Sequence, residues 1–380
     1  MNSPRRVLYF SRNFSTHDIR FLTSLAKTDM DVYYLRLEID NSNLDEKSLP
    51  EKIHFLPTLN HRKFRFKNII GNVNELRRII HQIHPDVIHA GPIQTCGFLT
   101  ALSGFTPLIT MSWGSDILVD SEKNFFWKWI TKFTLKRTSI FIGDCNVVKD
   151  KAKRLGFSEK RIVLFPWGID LNHYQPGRNL QLRNQLGWND KFILLSLRSW
   201  EKIYGVDLVA QAFVEASKYD PDLRLILLGN GSQEAEIKMI FEEAGMLDRV
   251  HWGGVIGQQE LPDYYHASDL YISASFSDGS SVSLMEALAS GLFVLVSDIP
   301  GNKEWIDQGR NGWLFKTGSV ENLTKSISEI LKNKAHLSQV GIEARRSAEK
   351  KANWEVNFQK LLFAYQLALN PEIRKGDRSG

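Results

Sequence analysis

Two carboxylates eight residues apart, Asp278 and Glu286, flank a Gly-Ser-Ser turn in the stretch SFSDGSSVSLMEALASG (275–291). An apolar run, LYISAS, precedes the turn, and a helical pattern follows it and stops at Gly291. Ser280 or Ser281 is a natural N-cap for that helix. The first-turn amides of Ser281, Val282 and Ser283 then have no intrahelical acceptor, and the helix dipole adds partial positive charge, which makes a phosphate site. Gly279 lets a ligand approach the backbone closely. Glu286 lies more than one turn into the helix. As an anion it suits ribose hydroxyls rather than phosphate, and Asp278 suits sugar hydroxyls beyond the phosphates. The segment reads as a cradle for a nucleoside-diphosphate sugar. An ordinary capped helix with two solvated acids is the other reading of this segment alone.

The elements that must hold such a cradle recur along the chain. RVLYF, DVYYLRL, DVIHA, LITMSW and SIFIGD read as strands in the first half, and FILLSLR, LRLILLG, VHWGG, LYISAS and FVLVSD in the second. Helical stretches such as NVNELRRIIHQI and VDLVAQAFVEASK lie between them. Strand–helix alternation predicts parallel sheets with crossover helices, an α/β class. The alternation breaks once, over 164–187, which has two prolines and no apolar period and predicts a domain junction. The expected arrangement is two doubly wound, Rossmann-like domains, 1–165 and 166–354, facing each other across a cleft that holds the site at the strand ends. The tail PEIRKGDRSG is expected to fray.

At 380 residues the chain exceeds a single core,. It has no apolar run near the ~20 residues of a membrane span and no signal-peptide pattern at its start. Two cysteines, Cys96 and Cys145, make neither a disulfide framework nor a metal pattern, and a cytoplasmic setting fits best,. No histidine spacing suits a metal, and Asp29-Met-Asp31 sits in a turn entering a strand, so no metal or other cofactor is expected. The Gly-rich LLGNGS lacks both the P-loop lysine and G-x-G-x-x-G. Charge is uneven: residues 1–165 carry a net +9 and residues 166–380 a net −4, making the formal +5 of the chain. HRKFRFK (61–67), KRT (136–138) and KDKAKRL (149–155) belong to the basic half. Solvated helix faces, an anionic membrane or a phosphorylated substrate all suit such a half.

D-x7-E followed by ALASGLFVLVSD resembles the E-x7-E motif of retaining glycosyltransferases of family 4, which have the GT-B fold. PWGIDLNHYQP (166–176), LLGNGS (227–232), RVHWGGVIGQQELPDYYHASDLYISAS and PGNKEW (300–305) are similar to further motifs of that family, in the same order. The resemblance covers most of the chain. It implies a donor-binding second domain, an acceptor-binding first domain and a C-terminal helix, about 355–380, crossing back onto the first. It also implies an Arg and a Lys on the donor diphosphate. Arg198 in LSLRSWEKIYGVDL matches the first. The lysine's place before G-V-D is held by Tyr204, with Lys202 two residues earlier. Donor contacts are implied at Gly254, Val255, Gly279, Ser280, Ser281 and Val282, and catalytic roles at Arg198, Lys202, Asp278 and Glu286.

The chain departs from the family in three places. The first acid is Asp278 rather than Glu. The loop SRNFSTHDIRF lacks the family's glycine pair. WGSD (113–116) stands where many members have H-G-x-D, so Trp113 replaces a histidine. His17, Asp18, Arg20, Gln94 and Asp116 are loop polars in the places where acceptor contacts are expected, and a structural role suits each of them equally. The implied reaction moves a sugar from a UDP- or GDP-linked donor to a hydroxyl of a glycan or lipid-linked acceptor, in cell-surface polysaccharide synthesis. Nucleic acid is not an expected partner. A nucleotide-sugar epimerase, a phosphorylase on the same fold and a non-catalytic partner subunit are the alternatives. NFFWKWITKFTLKR (124–137) predicts a helix with Phe126, Trp129, Ile130 and Phe133 on one face beside Lys128, Lys132 and Lys136. Packing on the first domain's sheet is one expectation for it, and peripheral contact with an anionic membrane leaflet is the other.

Overall fold

The structure is a computed structural model that describes residues 5–39, 49–59 and 64–370. The chain forms two compact units, one of residues up to Phe165 together with those from Phe358 onward, the other Pro166–Asn357. In the first unit the strands are β1 (Arg6–Ser11), β2 (Asp31–Arg36), β3 (Ile53–Phe55), β4 (Val87–Gly91), β5 (Leu108–Met111), β6 (Ile140–Gly143) and β7 (Ile162–Leu164). They pair in parallel in the order β3-β2-β1-β4-β5-β6-β7. The second unit has β8 (Phe192–Ser196), β9 (Leu223–Leu228), β10 (Val250–Gly254), β11 (Leu270–Ser273), β12 (Phe293–Ser297) and β13 (Trp313–Phe315). Its order is β10-β9-β8-β11-β12-β13, again parallel. Each is an α/β doubly wound sheet, as expected.

The sequence pattern explains the sheets. A strand covered by helices on both faces must be apolar on both. FILLS of β8 and FVLVS of β12 are buried at every residue. Alternate residues then feed two cores: Leu194, Leu225, Ile272 and Leu295 face one side, and Ile193, Ile226, Tyr271 and Val294 the other. Three strands have no counterpart among the runs read from the sequence: β3, β7 and β13. Each has three residues and lies at a sheet edge, with one neighbour to pair with. The expected C-terminal helix runs Trp354–Leu369, and the tail 371–380 lies outside the described residues. Within the first unit it is anchored by Tyr365, whose hydroxyl lies 2.9 Å from His89 Nδ1.

The sheet order reverses between β1 and β4 in the first unit, and between β8 and β11 in the second. These are the points where open parallel sheets leave a crevice beyond their strand ends. The loops after β8 and β11 carry Arg198 and Asp278.

The helix after β11, Val282–Ala289, is held from behind. Its last carbonyl, Ala289 O, accepts a 2.9 Å bond from Arg345 Nη1, which also donates to Tyr174 O at 2.6 Å. A cation suits the negative end of the helix dipole. The helix Leu337–Lys351 approaches so closely that a Cβ on Gly341 would lie 2.2 Å from Gly291 O. Gly341→Ala is expected to destabilise the protein by about 1–3 kcal/mol through overpacking against backbone. Gly71→Ala, in an open position of the helix Ile69–Ile83, should stabilise it by about 0.5–1 kcal/mol. Urea unfolding of the two variants checks both signs; equal shifts would refute the packing argument.

Candidate functional site

The loops after β8 and β11 of the second unit converge on one guanidinium. Arg198 follows β8. Its Nη2 lies 2.7 Å from Asp278 Oδ2, after β11, and its Nη1 donates to Ser281 Oγ at 2.7 Å and Ser283 Oγ at 3.2 Å. The Tyr204 ring lies under it, 4.3 Å from centroid to guanidinium carbon. Shielded from solvent, its Nε meets no acceptor among the described residues. Arg198 O packs on Gly229, where a Cβ would come within 2.9 Å, and Gly229 N donates to Gly254 O at 2.6 Å. The turns after β8, β9 and β10 are thereby locked together, and Gly229, at φ +108, adopts a backbone that glycine alone adopts readily,.

Ser281 occupies the N-cap position, but its side chain makes no cap bond. Its hydroxyl serves Arg198 instead, which corrects the simple capping expectation. Ser280 Oγ accepts from Trp305 Nε1 at 3.1 Å. The turn itself is tight: a Cβ on Gly301 would meet Gly279 O at 2.4 Å and Asp278 O at 2.6 Å. Burial raises the Asp278 carboxyl above the usual range, against the pull of Arg198 and the Gly279 amide. Glu286 is 2% exposed, and Oε2 accepts a 2.8 Å bond from the Tyr265 hydroxyl. Tyr271 OH lies 2.8 Å from Ser283 Oγ. Tyr265, Tyr271 and Ser283 support the cradle, and the sequence reading did not assign their side chains. The tyrosine of DYYHASD lay in a quoted motif, but a phenol reaching back to a helix acid leaves no spacing signal.

Lys202 is exposed in the one-turn helix Lys202–Tyr204, and Gly205, next in the chain, presses on Ala274 O, where a Cβ would come within 2.4 Å. Tyr204, not Lys202, touches Arg198. Of the other implied donor contacts, Gly254 ends β10 and Val255 is 73% exposed beyond it, while Val282 opens the cradle helix.

In the first unit the five loop polars gather after β1, β4 and β5. Asp18 is buried at the N-terminus of the helix Thr16–Ala26 and closes a capping box with Ser15, also accepting from Tyr9 OH at 3.1 Å. Asp116 is buried too. Its Oδ1 accepts from Ser112 Oγ at 2.6 Å and from the amides of Trp113 and Ile117, and its Oδ2 from Ile93 N. Gln94 Nε2 donates to Asp116 O at 2.6 Å and Thr131 Oγ1 at 2.9 Å. These three side chains are committed to the loops they organise. His17 and Arg20 are half-buried, and the His17 ring packs on Trp113 at 5.3 Å. Trp113 Nε1 in turn lies over Gly91, where a Cβ would meet it at 3.2 Å.

Among the described residues, no group of three or more His, Cys, Asp or Glu is placed to hold a metal ion, and no helix is long and apolar enough to cross a membrane. Asp31, of the Asp29-Met-Asp31 pair, is taken by His54 at 2.8 Å and Arg6 at 3.8 Å.

Residues 179–348 match the family model "Glycosyl transferases group 1", and residues 6–145 match "Glycosyl transferase 4-like". The fold is shared with Anabaena HepE, solved with UDP-glucose (TM-score 0.79, 18% identity, 95% of this chain and 99% of that one). It is shared also with sucrose-phosphate synthase of Thermosynechococcus elongatus (TM-score 0.76, 17% identity, 95% and 98%). The two family matches lie one in each half of the chain, each spanning less than half of it, and the fold is the GT-B fold of these neighbours. Among sequence relatives, the UDP-N-acetylglucosamine–peptide N-acetylglucosaminyltransferase GtfA subunit of Streptococcus gordonii is 36% identical over 115 residues, 30% of this chain and 22% of that protein. Spore coat protein SA of Bacillus subtilis is 25% identical over 214 residues, 52% of this chain and 57% of that protein.

Burial pushes the carboxyls of both Asp18 and Asp116 up to about 6, with their hydrogen bonds opposing the shift. A carboxyl with a raised folded value binds a proton that the unfolded chain has already lost. The contribution of these two groups to stability therefore falls as pH rises from about 4 to about 6, and is level above that. Carbon-detected NMR titration should place both midpoints near 6; midpoints near 4 would show that the hydrogen bonds outweigh burial.

Proposed function

We propose that this chain is a retaining glycosyltransferase, moving a sugar from a UDP- or GDP-linked donor to a hydroxyl of a glycan or lipid-linked acceptor. The observation that carries the reading is Arg198, held at the β8–β11 switch point beside the N-terminus of the Val282–Ala289 helix. A fixed cation and a helix N-terminus form a diphosphate site. The UDP and UDP-glucose complexes of the HepE fold neighbour support it, as do the glycosyltransferase relatives.

In this reading the second unit binds the donor and the first the acceptor. The bond between the sugar's anomeric carbon and the leaving phosphate oxygen breaks, and an acceptor oxygen bonds to that carbon on the same face. The phosphate oxygen takes the acceptor's proton. Negative charge grows on the diphosphate as positive charge grows on the sugar ring. Arg198 and the helix N-terminus stabilise the former because they are already in place. Asp278 orients the sugar, Glu286 the ribose, and Lys202 is the second cation. With charge neutralised by side chains and amides, the reaction needs no metal ion. Trp113 and His17 offer the acceptor an aromatic wall in the first unit. Synthesis of a cell-surface polysaccharide, by a cytoplasmic enzyme working at the inner face of the membrane, is the setting that suits this chemistry.

Release of nucleoside diphosphate from a panel of UDP- and GDP-sugars, with and without acceptors, is the direct test. Arg198→Ala and Glu286→Ala should each lower transfer by ~2–5 kcal/mol, some thirtyfold or more, in folded protein. Near-normal turnover in either variant would refute the cradle. Chelation by EDTA should leave turnover intact, and loss restored by Mn²⁺ or Mg²⁺ would contradict the side-chain mechanism. If Lys202 reaches the diphosphate, Lys202→Ala weakens donor binding while Tyr204→Phe, which keeps the ring under Arg198, changes little. The reverse ranking would give the second role to the tyrosine hydroxyl.

A further inference from the structure

The first unit carries an aromatic surface that the donor site does not use. The helix Phe125–Arg137 buries Ile130, Thr131, Thr134 and Leu135, and so splits the face expected from its sequence. Ile130 turns inward, while Phe125 is 85%, Phe126 50% and Trp129 46% exposed. Phe126 and Trp129 belong to a connected cluster of rings, with Phe125 next to Phe126 in the chain. Trp129 stacks on Phe126 at 6.4 Å and meets Phe133 at 5.4 Å and Phe98 at 6.1 Å. Phe66, from a separate segment, meets Phe126 and Trp127 at 5.6 Å each. Single exposed apolar side chains are ordinary, whereas a contiguous exposed group marks a contact surface.

The charges on the helix itself have one sign. Residues 123–137 hold Lys123, Lys128, Lys132, Lys136 and Arg137 and no acid, and all five are exposed. The nearest acids precede the helix: Asp120 pairs with Lys123 at 2.6 Å, and Glu122 with Lys128 at 3.7 Å and with Lys151. Among the described residues, Lys132 and Lys136 meet no acid. The Arg137 guanidinium lies over the Phe133 ring, 3.7 Å from its centroid. Arg65 and Lys67, beside Phe66, add to the same sign, and residues 61–63 of that basic run lie outside the described residues.

We propose that this face docks on an anionic lipid bilayer, with Phe125, Phe126 and Trp129 entering the headgroup layer and the lysines meeting lipid phosphates. Aromatic rings suit the boundary between apolar and wet phases, and lysine stems reach along apolar surface while their ammonium groups stay at phosphate level. The occupant is negatively charged because the patch is cationic and the half of the chain that bears it carries net +9. The inference adds a place of work to the proposed transfer but stands on the first unit alone. Either can fail without the other, and nucleotide binding measured on the same preparations tells which has failed.

Co-sedimentation with vesicles tests it. Vesicles containing a third phosphatidylglycerol should pellet the full chain at low salt, and vesicles of phosphatidylcholine alone should not. High salt should weaken binding by screening. Each cation at an anionic surface strengthens binding about fivefold, so reversing Lys128, Lys132 and Lys136 to Glu should weaken it about 100-fold or more. Phe125→Ser with Trp129→Ser should weaken it at least tenfold at both salt concentrations. Circular dichroism confirms that the variants fold. Failure of the wild-type chain to bind anionic vesicles at low salt would overturn the proposal, as would equal pelleting of wild type and variants. So would displacement of the vesicles by a single-stranded oligonucleotide at equal charge, or self-association lost with the same aromatic substitutions.

Discussion

Arg198 carries its charge in a place that is only 13% open to solvent, and the second unit is organised around keeping it there. A desolvated cation without a partner costs several kcal/mol, so the ion pair with Asp278, two serine hydroxyls and an aromatic face are requirements of its position. Those partners come from the loops after β8 and β11 and from the first turn of the helix that follows. Removing any one leaves a charge without full compensation. In the proposed reading, a diphosphate arriving at that helix N-terminus meets a cation already in place and largely shielded from water, which is where electrostatic stabilisation is strongest.

The glycines of the site serve the same end. Gly205, Gly229 and Gly301 each stand where another loop's carbonyl would collide with a Cβ. They let the turns after β8, β9, β11 and β12 stack backbone against backbone, so the site is a contact among four strand ends and not one flexible loop. Behind it, Arg345 ties the end of the cradle helix to the carbonyls of the 171–174 turn. The first unit repeats the plan with different chemistry. Its buried acids, Asp18 and Asp116, are spent on shaping the loops after β1 and β5, while His17 and Trp113 pack ring against ring.

Much of this was legible because burial on both faces writes itself as an apolar run. FILLS, LRLILL and FVLVS announce central parallel strands, and the Gly-Ser-Ser turn after LYISAS announces a helix N-terminus at a strand end. The edge strands IHF, IVL and WLF were not legible: three residues with one neighbour carry too little pattern to separate from loop. The Arg198–Asp278 pair was not legible as a pair, since 80 residues separate its members and only the sheet order brings them together. The same holds for Tyr265 beneath Glu286. Asp18 and Asp116 read as loop polars, and their commitment to capping is decided by amides that have no sequence signature. The face of the 125–137 helix was legible in kind but not in orientation, because Ile130 alone of the expected four turns fully to the core.

The central claim is that Arg198 is a diphosphate ligand and not only a structural cation. The decisive measurement is calorimetric binding of UDP and GDP, each against its own nucleoside, to wild type and to Arg198→Ala. The account predicts that wild type prefers one nucleotide over its nucleoside, and that the substitution removes most of this preference, ~2–5 kcal/mol, while nucleoside binding stays within a few fold. Equal losses for nucleotide and nucleoside, or an unchanged preference for the diphosphate in the variant, would contradict it.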